Sequence, residues 1–170
     1  MDDMTDTTTL RTATSDDIDA IDTLIQRSYM TLLKDDYPPS VLVTAVPVMA
    51  HAEPELVEAG RFFLAESDGR ITTAGGWSEE PPGGMAAVPH VAHVRHIATD
   101  PAMVHLGGGR AVMTRLMEEA RAAGMLQLQG LAAQSAVGFY EKFGFSPEAE
   151  TLVELAGGIR FPAVLMGADL

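Results

Sequence analysis

The sequence predicts a single α/β domain built on a central, mostly antiparallel mixed sheet with helices on both faces. Three observations carry that expectation. Helical and extended patterns follow in the order β-α-α-β-β-β-α-β-α-β-β, which suits a sheet covered by helices. The chain has 170 residues without an internal repeat or a dividing linker, enough for one domain with a sizeable core. Hydrophobic residues make up 46% of it, too many for a disordered chain.

Residues Met1 to Thr7 are polar and expected to fray, leaving 8–170 as the domain. Leu10 to Ala13 forms a first strand, and Ser15-Asp16-Asp17 supplies a cap and an acidic first turn. Ile18, Ile21, Leu24, Ile25, Tyr29, Leu32 and Leu33 recur at helical spacing, and Pro38-Pro39 ends that region. Ser40 to Ala50 reads as a second helix, and Glu53 to Ala59 adds a short helical turn. Arg61 to Ser67 and Arg70 to Trp77 are strands joined at Asp68-Gly69, a tight-hairpin signal. A Gly- and Pro-rich loop over Glu79 to Gly84 leads to a long strand, Val88 to Thr99. Arg110 to Ala123 is an amphipathic helix stopped by Gly124. Met125 to Ala132 is a strand, and Ser135 caps a short helix running to Phe143. Thr151 to Leu155 and Arg160 to Met166 form a last hairpin around Gly157-Gly158.

Composition excludes several classes of function. Eleven basic against 24 acidic residues give a net charge of −13, which repels nucleic acid and anionic membranes. Only the stretch from His90 to Phe145 is balanced: Arg95, Arg110, Arg115, Arg121 and Lys142 face Asp100, Glu118, Glu119 and Glu141. An anionic ligand is best tolerated there. Cysteine is absent, so neither a disulfide framework nor a thiol nucleophile exists. The apolar run from Val41 to Ala50 is far shorter than the roughly 20 residues of a membrane span. No basic segment followed by an apolar core opens the chain, so a cytoplasmic location is expected.

The segment that carries chemistry is Ile97 to Arg110, a strand running through three glycines into a helix. Glycines let backbone N–H groups approach a ligand closely, and the helix start adds partial positive charge, a combination suited to phosphate. A plain tight turn accounts for the same residues. The P-loop and dinucleotide-fold patterns are both absent, since no Lys-Ser or Lys-Thr follows and position 112 is Val.

Further residues narrow the choice. Pro101, Gly107-Gly108-Gly109 and the later run Phe139-Tyr140-Glu141-Lys142-Phe143-Gly144-Phe145 resemble the GNAT superfamily of acyl-CoA-dependent N-acetyltransferases over 91–145. One position departs from the family pattern: Val104 stands where Arg or Gln opens the motif. The resemblance implies a GNAT-like fold with acetyl-CoA as acyl donor and no metal. It implies that Ile97, Ala98 and Thr99 pair with the pantetheine arm. It further implies that the backbone from His105, Leu106, Gly107, Gly108 and Gly109 to Arg110 holds the pyrophosphate.

By the same resemblance, Tyr140 is the general acid that protonates the departing thiolate. A phenol stays protonated at neutral pH in an apolar site; packing of the short helix is the competing role. The base is open. Four of five histidines fall between His90 and His105, and His titrates nearest to working pH. His93 lies near the strand position of a catalytic Glu in several family members and ranks first, His96 second, with plain sheet roles as the alternative. Strand alternation predicts His93, Arg95 and Ile97 on one face and His90 and His96 on the other. That alternation also disfavours a zinc site at His90-x-x-His93-x-x-His96. Tyr29 and Trp77 are the candidate acceptor contacts, with the acceptor pocket expected from 29–60 and 77–88.

The expected activity is acetyl transfer from acetyl-CoA to a primary amine of a small molecule, by direct attack in a ternary complex with an oxyanion held by backbone N–H. A peptide N-terminus stays open as acceptor. The alternatives are a non-catalytic acyl-CoA-binding sensor and a His-cluster metal-dependent hydrolase. The edge of the last hairpin is where a homodimer would form.

Overall fold

The computed structural model describes residues 8–170; the expected frayed segment 1–7 lies outside the described residues. Strand β1 (Thr9–Thr12) leads to helices α1 (Ile18–Leu32), α2 (Pro39–Met49) and α3 (Pro54–Glu58). Strands β2 (Phe62–Ser67), β3 (Arg70–Ser78) and β4 (Val91–Thr99) follow, then α4 (Gly108–Ala122) and β5 (Gln127–Ala132). Helix α5 (Val137–Glu141) and strands β6 (Ser146–Leu155) and β7 (Ile159–Asp169) complete the domain. The strands form one seven-stranded sheet in the order β1-β2-β3-β4-β5-β7-β6. Every pair is antiparallel except β4 with β5.

Two cores cover the two faces of that sheet, set by alternation along the strands. On one face Ile21, Ile25, Leu42 and Val46 of α1 and α2 pack on Phe62, Leu64, Ala74 and Ala98. On the other Val112, Met113 and Leu116 of α4 pack on Phe63, Ala65, Val94 and Leu128. Phe62 and Phe63, adjacent in sequence, thus belong to opposite cores.

Local chemistry explains most boundaries. Asp68 and Gly69 both have positive φ, as the tight hairpin requires. The turn before α1 is capped by Thr14, not by Ser15: the Thr14 N–H donates to Asp17 at 2.8 Å. Asp17 is also bonded by Arg11, which holds its carboxyl well below the usual range. Ser135 sits inside the turn that precedes α5, where it binds Asp36 rather than capping the helix. Strand β4 starts at Val91 instead of Val88, and β6 starts at Ser146, longer than expected.

Two irregularities shape the centre of the sheet. First, β4 and β5 pair only from Val91–Gln127 to His93–Gln129, then part. Second, Gly75 opposes Ile97 while Gly76 opposes Arg95, so His96 is an extra residue, with φ of 59°. This bulge corrects the predicted alternation. Ile97 joins the α4-side core, whereas His96 meets Tyr29 of α1. A β-bulge inserts one residue and reverses the facing of everything beyond it.

Candidate active site

A cavity of about 420 Å3 opens where β4 and β5 part. Val94 to Ile97 form one wall, and Leu131 to Ala133 the other. His93 stands behind the apex, since its pairing with Gln129 is the last before the strands separate. Strand edges that diverge leave main-chain N–H and C=O groups pointing into the gap without a sheet partner.

Tyr140 lines the cavity from α5. Its ring lies over β5 at Gly130, where an added Cβ would come within 2.7 Å of it. Phe145 and Phe139 pack edge-on to the same ring at centroid distances of 5.1 and 5.7 Å. Burial pushes the phenol well above its ordinary pKa, so it is a protonated donor at any working pH.

Tyr29 and His96 line the same cavity as Tyr140. The Tyr29 hydroxyl is 3.1 Å from His96 Nδ1. Burial, and secondarily the charge of Arg95, lowers His96 to about 4, so its ring is neutral through the physiological range. The ring also bonds the backbone of His51, which leaves Nδ1 to accept from Tyr29. Burial likewise raises the Tyr29 phenol well above its ordinary pKa, so it too stays protonated.

The glycine turn forms a separate cradle at the end of β4. Gly107 has a φ of 80°, and the first helical bond of α4 runs from Ala111 N–H to the Gly107 carbonyl. The N–H groups before it therefore have no acceptor within the helix. Gly108 lies so close to β3 that a Cβ would fall 2.3 Å from Thr73 Oγ1. Asp100 fixes the approach to the turn, accepting from Ala102 N–H and pairing with Arg27. A Cβ on Gly109 would touch Phe139, a cavity residue, at 3.1 Å, so the cradle and the cavity adjoin. Arg110 and His105 are exposed around the turn, and Val104 is 40% exposed with no charge to offer.

These features fit a long thioester donor: free N–H groups for a diphosphate, an open strand edge for an amide-bearing arm and a phenol at the end. The protein matches the family model described as the acetyltransferase (GNAT) family over residues 27–145. The chain belongs to the GNAT family. Among curated proteins none matches the sequence. Solved structures share the GNAT fold at low identity. A GCN5-related N-acetyltransferase from Rhodopseudomonas palustris is 20% identical, with 96% of each chain covered and a TM-score of 0.76. The PaiA N-acetyltransferase of Thermoplasma acidophilum, in complex with coenzyme A, is 13% identical, covering 96% of this chain and 99% of that one, at 0.73. Salmonella typhimurium yncA, with its cofactor acetyl-CoA, is 19% identical, covering 96% and 94%, at 0.67. Acetyl-CoA is the acyl donor of the GNAT family, and the chain is accordingly an acyltransferase.

The remaining candidates are placed less centrally. His93 is 4% exposed, burial lowers its pKa, and its Nε2 has no hydrogen-bond partner among the described residues. His90, with φ of 62°, serves through its backbone, its carbonyl accepting from Leu126 and Gln127 N–H. Among the described residues no three His, Asp or Glu side chains gather as metal ligands. Trp77 does not line the cavity: strand parity turns it into the α4-side core, where Arg61 stacks over its ring at 4.3 Å. Of the expected acceptor segments, Tyr29, Val48, Met49, His51, Glu53, Pro82 and Gly83 do reach the cavity. Its remaining wall, Val153 to Leu155, Phe161 and Ala163 of the last hairpin, was invisible in the sequence because nothing local pairs that hairpin with α2. Nor did any motif reveal the ion pair at the cavity between Arg95 and Glu53.

Proposed function

We propose that the protein transfers an acetyl group from acetyl-CoA to a primary amine of a small molecule, by direct attack without a covalent enzyme intermediate. The observation that carries this reading is the shared cavity: the Tyr140 phenol and the Tyr29–His96 pair both line the gap between β4 and β5. Acetyl-CoA supplies the thioester carbonyl. Backbone N–H groups from 105–110 hold the diphosphate, and the free edge at Ile97, Ala98 and Thr99 orients the arm. An N–H at that edge stabilises negative charge developing on the carbonyl oxygen. Tyr140 donates its hydroxyl proton to the departing sulfur. His96, neutral and reached through the Tyr29 hydroxyl, is the better-placed proton acceptor; His93 lies behind the apex of the gap. The decisive measurement is release of free thiol from acetyl-CoA across an amine panel, beside calorimetry with coenzyme A. Amine-dependent release that falls in Tyr140→Phe supports the reading. Coenzyme A binding without turnover on any amine would identify a sensor instead.

A further inference from the structure

We propose that the acceptor is a primary amine on an uncharged apolar body, an arylalkyl or branched alkyl amine carrying one ammonium and no second charge. The proposal rests on the acetyl-transfer reading above and concerns the end of the cavity away from the glycine cradle. Leu33, Val48, Met49, Val153, Leu155 and Phe161 line that end, contributed by the residue that follows α1, by α2 and by the last hairpin. Helix α2 carries no charged residue along its whole length. Phe161 is held in place by Tyr37, whose ring stacks on it at 4.1 Å between centroids and whose hydroxyl donates to the Pro162 carbonyl. An apolar wall backed by a fixed aromatic ring fits an aryl or branched alkyl group.

Away from the rim, the charged groups at the cavity are already committed. Arg95 pairs with Glu53 and also donates to Ser78 Oγ and the Glu80 carbonyl. His51 is tied to the Pro47 carbonyl through Nε2 and to Asp22 through Nδ1. Glu154 is at the exposed rim opposite Arg160. Below that rim, a second ammonium, or a carboxylate beside the amine, would find no uncommitted charge among the described residues and would lose its hydration. The single ammonium is drawn by the acidic chain and is neutralised on reaction, so it alone escapes that penalty. Apolar lining and closed ion pairs together select against polyamines and amino acids.

The test compares 2-phenylethylamine with phenylalanine, which differ by one carboxylate, and 3-methylbutylamine with 1,4-diaminobutane, using the full chain and thiol release from acetyl-CoA. The apolar member of each pair is expected to have a kcat/KM about tenfold higher or more. In Val48→Asp, coenzyme A binding serves as the folding control, and 1,4-diaminobutane is expected to gain about tenfold on 2-phenylethylamine. Equal or better use of phenylalanine or the diamine by the unaltered protein overturns the proposal while leaving acetyl transfer intact. Failure to bind coenzyme A, or binding without turnover on any amine, overturns the acetyl-transfer reading and this proposal with it.

Discussion

The Tyr29 hydroxyl and His96 Nδ1 lie 3.1 Å apart, bridging helix α1 and the bulge in strand β4. Because His96 is lowered to about 4 in the folded protein, it does not titrate in the neutral range. The acidic limb of kcat/KM is therefore expected to follow the ammonium pKa of the acceptor and to move when a less basic amine is used. A limb fixed near 6.5 for every amine would contradict this.

The same shift links pH to stability. The unfolded ring binds a proton near 6.5 and the folded ring only near 4. Folding is therefore unaffected above about 6.5, and it weakens as pH falls towards 4, by up to about 3 kcal/mol. His96→Asn, which tolerates the same left-handed backbone, is expected to remove this part of the acid sensitivity in urea titrations at pH 7 and 5.

Tyr140→Phe keeps the ring that packs on Gly130, Phe139 and Phe145 and removes only the hydroxyl. We expect kcat to fall about 100-fold with the acetyl-CoA KM changed less than about twofold. Steady-state kinetics at saturating amine checks this; unaltered turnover would assign the residue to packing.

Two neighbouring glycines are expected to behave differently. Gly107 needs its positive φ, but an added Cβ would meet none of the described residues within 4 Å, so Gly107→Ala should cost about 1 kcal/mol of stability. Gly108→Ala drives a methyl into Thr73 and should cost about 1–3 kcal/mol and also displace the cradle. Thermal unfolding ranks the two, and calorimetry with coenzyme A should show the larger loss of affinity for Gly108→Ala.

Glu53→Gln leaves the largely buried Arg95 guanidinium without its carboxylate. A loss of about 2 kcal/mol in chemical denaturation is expected, reduced when Arg95 is also replaced. Additive losses in the double variant would show that the two side chains are not coupled.

Much of this architecture is written in short stretches of chain. Asp68-Gly69 marks its hairpin, the three glycines mark the start of α4, and the aromatic run around Tyr140 marks α5. Each is local, so residue type and spacing suffice. The bulge at His96 is not local: it depends on how β3 opposes β4, and it moved Ile97 and His96 to faces that plain alternation denies them. Trp77 joins the α4-side core for a reason just as hidden, since its position near a strand end says nothing about which core it enters. The Arg95–Glu53 pair and the wall supplied by the last hairpin join segments far apart in sequence, and only the folded chain brings them together.

Among the described residues, the three residue pairs between β4 and β5 are the only strand pairing that joins a four-stranded half-sheet to a three-stranded one. A donor bridging that seam would stitch the halves together, so tightness of binding and resistance to unfolding should rise as one quantity. Loosening the seam would cost the protein its grip and its melting temperature at once.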